Sequence, residues 1–477
     1  MDAQRLKEFE YIFYPKSIAI VGASRDVTKF GTGFFRALLA ADFKGRVYAV
    51  NPSGGKVLGV DSYANLRDIP DPVDYVIVSI PAKYIPALLD DCVAKGVKAV
   101  QMFTAGFKEL GTEEGRKAEE ALVRKAQEGG FHIIGPNCIG VCNPEINMPY
   151  GMSPAVGEPG SVGFISQSGG VGGKILNAGL IKGIHFSKIV SFGNGNELDS
   201  VDYLEYLGED PRTEIIGMYL EGVGDGRRLF RLLREISATK PVVIWKGGQT
   251  FAGAEAASSH TGSLASSDEI WTALSKQLGI VKVSDADELA DALLTLQHLR
   301  RAPGKKVGIV SGIMGGGGGE SVSGTDTCSM MGLDVLPFMD ETRNQLQSIL
   351  PDAGAILRNP LDLGSIGHFL DILEKAMALV AADANVDVII IQEPLDHLIA
   401  FLGKEHVKAM NDILIRLKQE QPKSVFVVSP TEMPSAGQVE IEQILSKAGI
   451  PVCPTLARAA KAIVNVNRCG TYRVESA

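Results

Sequence analysis

Short apolar runs that end in glycine or proline, each followed by a segment of helical pattern, recur along almost the whole chain. "SIAIVGAS", "RVYAVNP", "DYVIVSIP", "KAVQMFTAG" and "FHIIGPN" read as strands, with "GTGFFRALLAAD" and "YIPALLDDCVAKG" as helices between them. Unbroken apolar runs of this length are buried on both faces, and strands alternating with helices form βαβ units on a parallel sheet. The pattern restarts after "NMPYGMSPAVGEPGS" with "VGFIS", "KIVSFGN", "EIIGMYLEG" and "PVVIWKGG". It restarts again after "LRRAPGKK" with "VGIVSG", "DVIIIQ" and "SVFVVSP". The expectation is three α/β domains, residues 1–147, 148–302 and 303–477, each a doubly wound sheet.

Composition excludes several classes. The 477 residues are 45% hydrophobic and 22% charged, ordinary for a globular protein with ample core. Six cysteines are too few for a disulfide framework and read as reduced thiols. A net charge of −9 argues against nucleic acid or an anionic membrane as the main partner. No apolar run is long enough to span a bilayer, and "MDAQRLKEFEYIFYPKS" lacks the layout of a signal peptide. A cytoplasmic location is expected.

The glycine-bearing turns carry the chemistry. "VGASRDVTKFGTG" leaves the first strand and opens a helix, the phosphate-binding position of a Rossmann-like domain. An NAD-binding domain places Asp or Glu at the end of its second strand, whereas this strand ends in Val50-Asn51-Pro52. The loop carries Ser24, Arg25 and Lys29 instead, which suits the phosphates of coenzyme A better than NAD. The bland alternative is a tight turn with incidental charges. "GFISQSGGVGGKIL" repeats the arrangement, with Ser168, Gly169 and Gly170 at a helix start where amides and a hydroxyl can hold a phosphoryl group. "SGIMGGGGGES" in the third domain lacks the G-K-[ST] ending and reads as a close backbone approach; the chain contains no Walker A sequence.

Other residues were weighed singly. Cys138 and Cys142 in "GPNCIGVCNP" have no second Cys or His pair beside them, so no zinc site is expected, and Cys138 reads as a packing or ligand-lining residue rather than a thiolate. Glu221 in "MYLEGVGDG" closes a strand, where open α/β sheets place their sites; a solvated loop residue is the alternative. His260, one of seven histidines, stands in "EAASSHTGSLASSDEIW" among small residues. That setting suits neither a metal ligand nor a core histidine. It fits an accessible imidazole able to act as a nucleophile, or an ordinary loop histidine.

"SSHTGSLA" resembles the phosphohistidine segment of the nucleoside-diphosphate-forming acyl-CoA synthetases, the family of the ADP-forming acetyl-CoA synthetases and relatives of succinyl-CoA synthetase. "VGASRDVTKFG", "VNP", "FTAGFKE", "GPNCIGVCNP", "ISQSGGVG", "SFGNGNELD" and "YLEGVGDGR" precede it in the family's order. "RNPLDL", the glycine-rich loop and Asp326 resemble the third domain of its α-type chains. The resemblance implies a Rossmann-like CoA-binding domain followed by two flavodoxin-like domains. It implies CoA contacts at Gly22, Ser24, Arg25, Lys29, Asn51, Pro52, Ile80, Pro81 and Asn137, and phosphate at Ser168, Gly169 and Gly170. His260 is then the phosphoryl carrier and Glu221 the carboxylate that orients it. The implied reaction converts acyl-CoA, ADP and phosphate to a carboxylic acid, CoA and ATP through an acyl phosphate. No ATP-grasp segment is seen, so the nucleotide and Mg²⁺ are expected on an ATP-grasp β-type subunit, within a hetero-oligomer. Two departures stand out: Gln249 occupies a position where relatives often carry a basic residue, and Ser266 one where they often carry Gly. Two other classes remain open: a noncatalytic CoA-binding regulatory module, and an acyl or carbamoyl transferase without ATP coupling.

Overall fold

A computed structural model describes residues 1–253, 255, 267–299, 302–314, 317–350, 355–430 and 435–476. Its strands form three sheets of seven, six and six. The chain splits into two compact units. One comprises Met1–Gly179 and His185–Leu289 and holds the first two sheets; the other comprises Leu180–Ile184 and Ala290–Ala477 and holds the third.

The first sheet contains β1 (Ser17–Val21), β2 (Arg46–Val50), β3 (Gly55–Val57), β4 (Val60–Tyr63), β5 (Tyr75–Val78), β6 (Ala99–Met102) and β7 (His132–Ile134), in the order β3-β4-β2-β1-β5-β6-β7. Every residue of β1, β5 and β6 is buried, which is why each reads as an unbroken apolar run. Parallel pairing places Ile18 beside Val47 on one side and Tyr75 on the other. Among the helices of this part of the chain, α1 (Ala3–Phe13) precedes β1 and α2 (Phe30–Ala40) connects β1 to β2. The β3–β4 hairpin was not anticipated. Its two-residue turn, Leu58-Gly59, has positive φ at both positions, a conformation normally signalled by Asn or Gly rather than Leu.

The second sheet contains β8 (Gly140–Cys142), β9 (Pro159–Ser166), β10 (Phe186–Ser191), β11 (Ile215–Leu220), β12 (Val242–Lys246) and β13 (Val281–Val283), ordered β13-β12-β11-β9-β10-β8. All neighbours are parallel except β8, which pairs antiparallel with β10 although it lies upstream of the Pro- and Gly-bearing stretch. The helix α3 (Gly169–Lys182) follows β9, and α4 (Ser200–Glu209) follows β10. One hydrophobic core joins the two sheets. Phe9 and Phe13 of α1 stack on Tyr206 of α4 with ring centroids 5.2 and 4.8 Å apart. Each such buried ring contributes roughly 2–3 kcal/mol of burial. Within this core Lys188 and Asp210 form an ion pair, 1% and 2% exposed, roofed by Tyr14 and Tyr206.

The third sheet contains β14 (Val307–Ser311), β15 (Ile356–Leu357), β16 (Leu361–Asp362), β17 (Val388–Gln392), β18 (Ser424–Val428) and β19 (Val452–Cys453), ordered β15-β16-β14-β17-β18-β19. It has its own core, which includes Val310, Ile389, Ile391, Val425 and Val427. Among the described residues no helix is long and apolar enough to cross a membrane.

Candidate active site

The carboxyl ends of β1 and β2 carry the first set of expected residues. Gly22 has φ +107°, and a Cβ there would stand 2.9 Å from the carbonyl carbon of Ser79 and closer still to its oxygen, so the position admits only glycine. Gly31 in α2 likewise lies against the carbonyl of Gly22, which lets the helix start approach the strand end. The Ser24 amide donates to Thr32 Oγ1 at 3.0 Å, and the Asn51 amide group donates to the Ala23 carbonyl at 2.7 Å. Asn51 Oδ1 also accepts from the Ser53 amide, so this side chain ties the two loops together. Arg25, Lys29 and Pro52 are exposed beside them.

The carboxyl ends of β5, β6, β9 and β10 enclose a cleft of about 500 Å³. Ile80, Pro81, Asn137, Ser168, Gly169 and Gly170 all line it, so strand ends of two different sheets bring these expected residues together. Asn137 has φ +58° and its amide donates to the Thr104 carbonyl; Thr104 Oγ1 in turn donates to the Ile80 carbonyl at 2.7 Å. The turn that supplies Asn137 is met by Gly193, whose absent side chain lets the loop after β10 touch the Asn137 and Pro136 carbonyls. α3 begins at Gly169, and its first amides have no intrahelical acceptor, so they present partial positive charge to the cleft. Ser168 Oγ accepts from the Val171 amide at 3.4 Å, and Tyr150 donates to the Gly169 carbonyl at 2.9 Å.

Glu221, 4% exposed, follows β11. Its backbone amide and that of Gly222 donate to Gln167 Oε1 at 2.8 and 3.1 Å, so the residue that ends the cleft wall also holds the Glu221 turn. Tyr219 donates to Glu221 Oε1 at 3.1 Å. β11 and β12 are parallel neighbours with Leu220 opposite Lys246. Lys246, fully buried, donates to the Glu221 carbonyl at 2.9 Å and to the Gly247 carbonyl. Burial pulls this ammonium below the usual lysine range, against the attraction of Glu221 and Asp268. His260 and Ser266 lie outside the described residues. Gln249 donates to the Ser284 carbonyl at 3.4 Å, and Asp326 is exposed in the third domain.

Several lining residues were missed by sequence reasoning: Phe30, Phe103, Thr104, Gln167 and Gly193. All five are the first or second residue after a strand or the first of a helix, which was the available signal. Cys138 lies at the cleft but its thiol is 3% exposed and donates to the Ile134 and Met102 carbonyls. Burial pushes Cys138 well above the usual thiol range and Cys142 up to about 12, so neither forms a thiolate near neutrality.

Two α/β sheets meet over a cleft walled by a helix N-terminus, an arrangement suited to an anionic ligand. Residues 16–144 match the family described as CoA binding domain, and residues 159–296 that described as Succinyl-CoA ligase like flavodoxin domain. The chain is 36% identical over 464 residues to Acetate–CoA ligase [ADP-forming] I of Archaeoglobus fulgidus, covering 96% of this chain and 63% of that protein. It is 35% identical to the alpha subunit of Acetate–CoA ligase [ADP-forming] II of Pyrococcus furiosus, covering 95% of this chain and 97% of the relative. A solved structure from Ca. Korarchaeum cryptofilum, a dinucleotide forming Acetyl-coenzyme A synthetase 1 in complex with phosphate and ADP, superposes with a TM-score of 0.82 at 31% identity over 98% of both chains. The chain therefore belongs to the family of ADP-forming acyl-CoA synthetases. It spans less than two thirds of the Archaeoglobus relative and nearly all of the Pyrococcus alpha subunit.

Proposed function

We propose that this chain is the α-type part of an ADP-forming acyl-CoA synthetase and works with an ATP-grasp β-type subunit. The observation that supports this best is the cleft in which Asn137, Ile80 and Pro81 face the Ser168–Gly170 helix start, with Gln167 linking that wall to Glu221. In this reading residues 1–147 bind CoA, 148–302 carry the phosphoryl chemistry and 303–477 complete the ligase. The phosphates of CoA lie near Ser24, Arg25 and Lys29, and its thioester end enters the cleft. Phosphate held at the start of α3 attacks the thioester carbonyl; the C–S bond breaks, CoA leaves as thiolate and an acyl phosphate forms. The helix N-terminus supplies anion stabilisation without a cationic side chain.

A ring nitrogen of His260 then attacks phosphorus, the acid leaves as carboxylate, and the phosphoryl group is carried to ADP. Glu221 accepts a hydrogen bond from the other ring nitrogen, which selects the tautomer that leaves the attacking nitrogen unprotonated. Gln167 and Lys246, through the Glu221 backbone, hold that carboxylate's turn in place. Mg²⁺ bound with the nucleotide on the partner would neutralise phosphate charge during the last transfer. The test is reconstitution with an ATP-grasp partner, supplying acetyl-CoA, phosphate and ADP. The complex should form ATP, and the α-type chain alone should not. ATP formation by the chain alone, or by a complex carrying His260→Ala, would overturn the reading.

A further inference from the structure

A second cavity, of about 690 Å³, opens at the carboxyl end of the third sheet. It spans the point where the order reverses, between β14 and β17, and reaches β18 and β19. Open α/β sheets bind ligands at such reversals. Ile313, Met314, Val428 and Leu456 give it an apolar wall. Its polar side is set by Gln392, which ends β17, and by Glu393, Asp396 and His397, which follow it. Glu393 is 1% exposed, and its Oε2 has no hydrogen-bond partner among the described residues. Its Oε1 accepts from Asn411 at 3.2 Å. Gln392 Oε1 is a second buried oxygen without a partner. Asp396 adds another carboxylate, whose Oδ1 accepts from the Ser435 amide. Among the described residues no Lys or Arg lines the cavity.

We propose that this cavity is a binding site for a small ligand that carries a protonated amine on an apolar body. Gln392 Oε1 and, once ionised, Glu393 Oε2 can only accept, so a ligand that donates hydrogen bonds satisfies both. Two carboxyl groups without a lining Lys or Arg favour a cation over an anion. The apolar wall has room for several carbon atoms beyond the ammonium group, since a cavity this size is in the usual range for small-molecule sites. In the free chain burial raises Glu393 to about 8, so near neutral pH its carboxyl holds a proton. When the ammonium group arrives, Glu393 gives that proton to solvent and pairs with the ligand as carboxylate. Asp396 and His397 are the other titratable groups on the cavity wall; Asn411, which packs on Glu393 from the helix Lys404–Glu420, is neutral.

The test uses the full chain with butylamine, butyrate and butyramide as probes, by calorimetry and ligand-observed NMR at constant ionic strength. Butylamine should bind and the other two should not. Its affinity should fall by about tenfold per pH unit below the Glu393 value, and calorimetry in buffers of different ionisation enthalpy should show close to one proton released near neutrality. Glu393→Gln should lose at least about tenfold in affinity together with this pH dependence, while melting no lower than the parent. Leu456→Trp, which fills the apolar wall and leaves the carboxyls intact, should abolish binding. Equal binding of butyrate or butyramide, no binding of butylamine, or wild-type butylamine affinity in either variant would overturn the proposal. Because binding is read directly on the chain, this outcome is independent of whether the ligase reading holds.

Discussion

Gly193→Ala probes the joint on which the cleft depends. Gly193 sits at φ +55°, and a Cβ built there would stand 2.7 Å from the carbonyl carbon of Asn137, with the Asn137 and Pro136 oxygens closer still. Carbon atoms in contact keep roughly 3.5 Å apart, so one loop must move by roughly 0.8 Å. Overpacking of this kind costs about 1–3 kcal/mol, the left-handed backbone adds ~1–2, and loss of the Asn194 amide to Pro136 carbonyl hydrogen bond adds ~1. The sum is about 3–6 kcal/mol. Gly130→Ala is the matched control: its φ is +63°, but nothing lies within 4 Å of its Cβ, so only the backbone term of ~1–2 kcal/mol applies. Denaturant unfolding and CoA calorimetry on both variants read the difference. Gly193→Ala should unfold at clearly lower denaturant than Gly130→Ala, and its CoA Kd should rise at least about tenfold because Asn137 lines the cleft. If the two variants unfold alike and bind CoA alike, the loops do not meet as described.

Three further perturbations test other parts of the account. Lys188→Met leaves the buried Asp210 only its longer, 3.8 Å contact with Arg212 as an ion pair among the described residues and should cost about 3–5 kcal/mol, read by denaturant unfolding of the parent and variant. Burial pulls His132 down, but Glu197 and Glu8 outweigh it and hold the imidazole above its usual value. A raised value means the stabilisation is fully present below the unfolded pKa and fades as pH rises through the folded one, so the stability difference between parent and His132→Gln should be larger near about pH 5.5 than near about pH 9. Glu221→Gln should preserve CoA affinity yet slow single-turnover phosphorylation by about a hundredfold or more; an unchanged rate would remove the orienting role.

The strand skeleton was legible because parallel strands buried on both faces leave continuous apolar runs, as in "DYVIVSIP" and "DVIIIQ". The glycine turns were legible for the same reason their chemistry requires: Gly22 and Gly169 stand where backbone or a neighbouring side chain approaches too closely for a Cβ. What escaped was set by contacts between distant segments. β8 pairs with β10 across more than forty intervening residues, from 142 to 186, and its three residues carry no periodic signal. α1 was passed over because its purpose, stacking Phe9 and Phe13 on Tyr206, exists only in the folded chain. Leu58 in a left-handed turn hid the β3–β4 hairpin. Lys246 read as part of a strand, and only the structure shows its ammonium tying the Glu221 carbonyl to the start of the next loop. His260, the residue most conspicuous in the sequence, lies outside the described residues, and its role rests on its small neighbours and on the resemblance of "SSHTGSLA" to the family's phosphohistidine segment.

The central claim is that His260 carries the phosphoryl group. The direct measurement is incubation of the chain with acetyl-CoA and radiolabelled phosphate, followed by acid-lability analysis and peptide mapping of the labelled protein. The account predicts one acid-labile, base-stable label on the peptide containing His260, absent in His260→Ala. Label on any other residue, or undiminished labelling of His260→Ala, would contradict it.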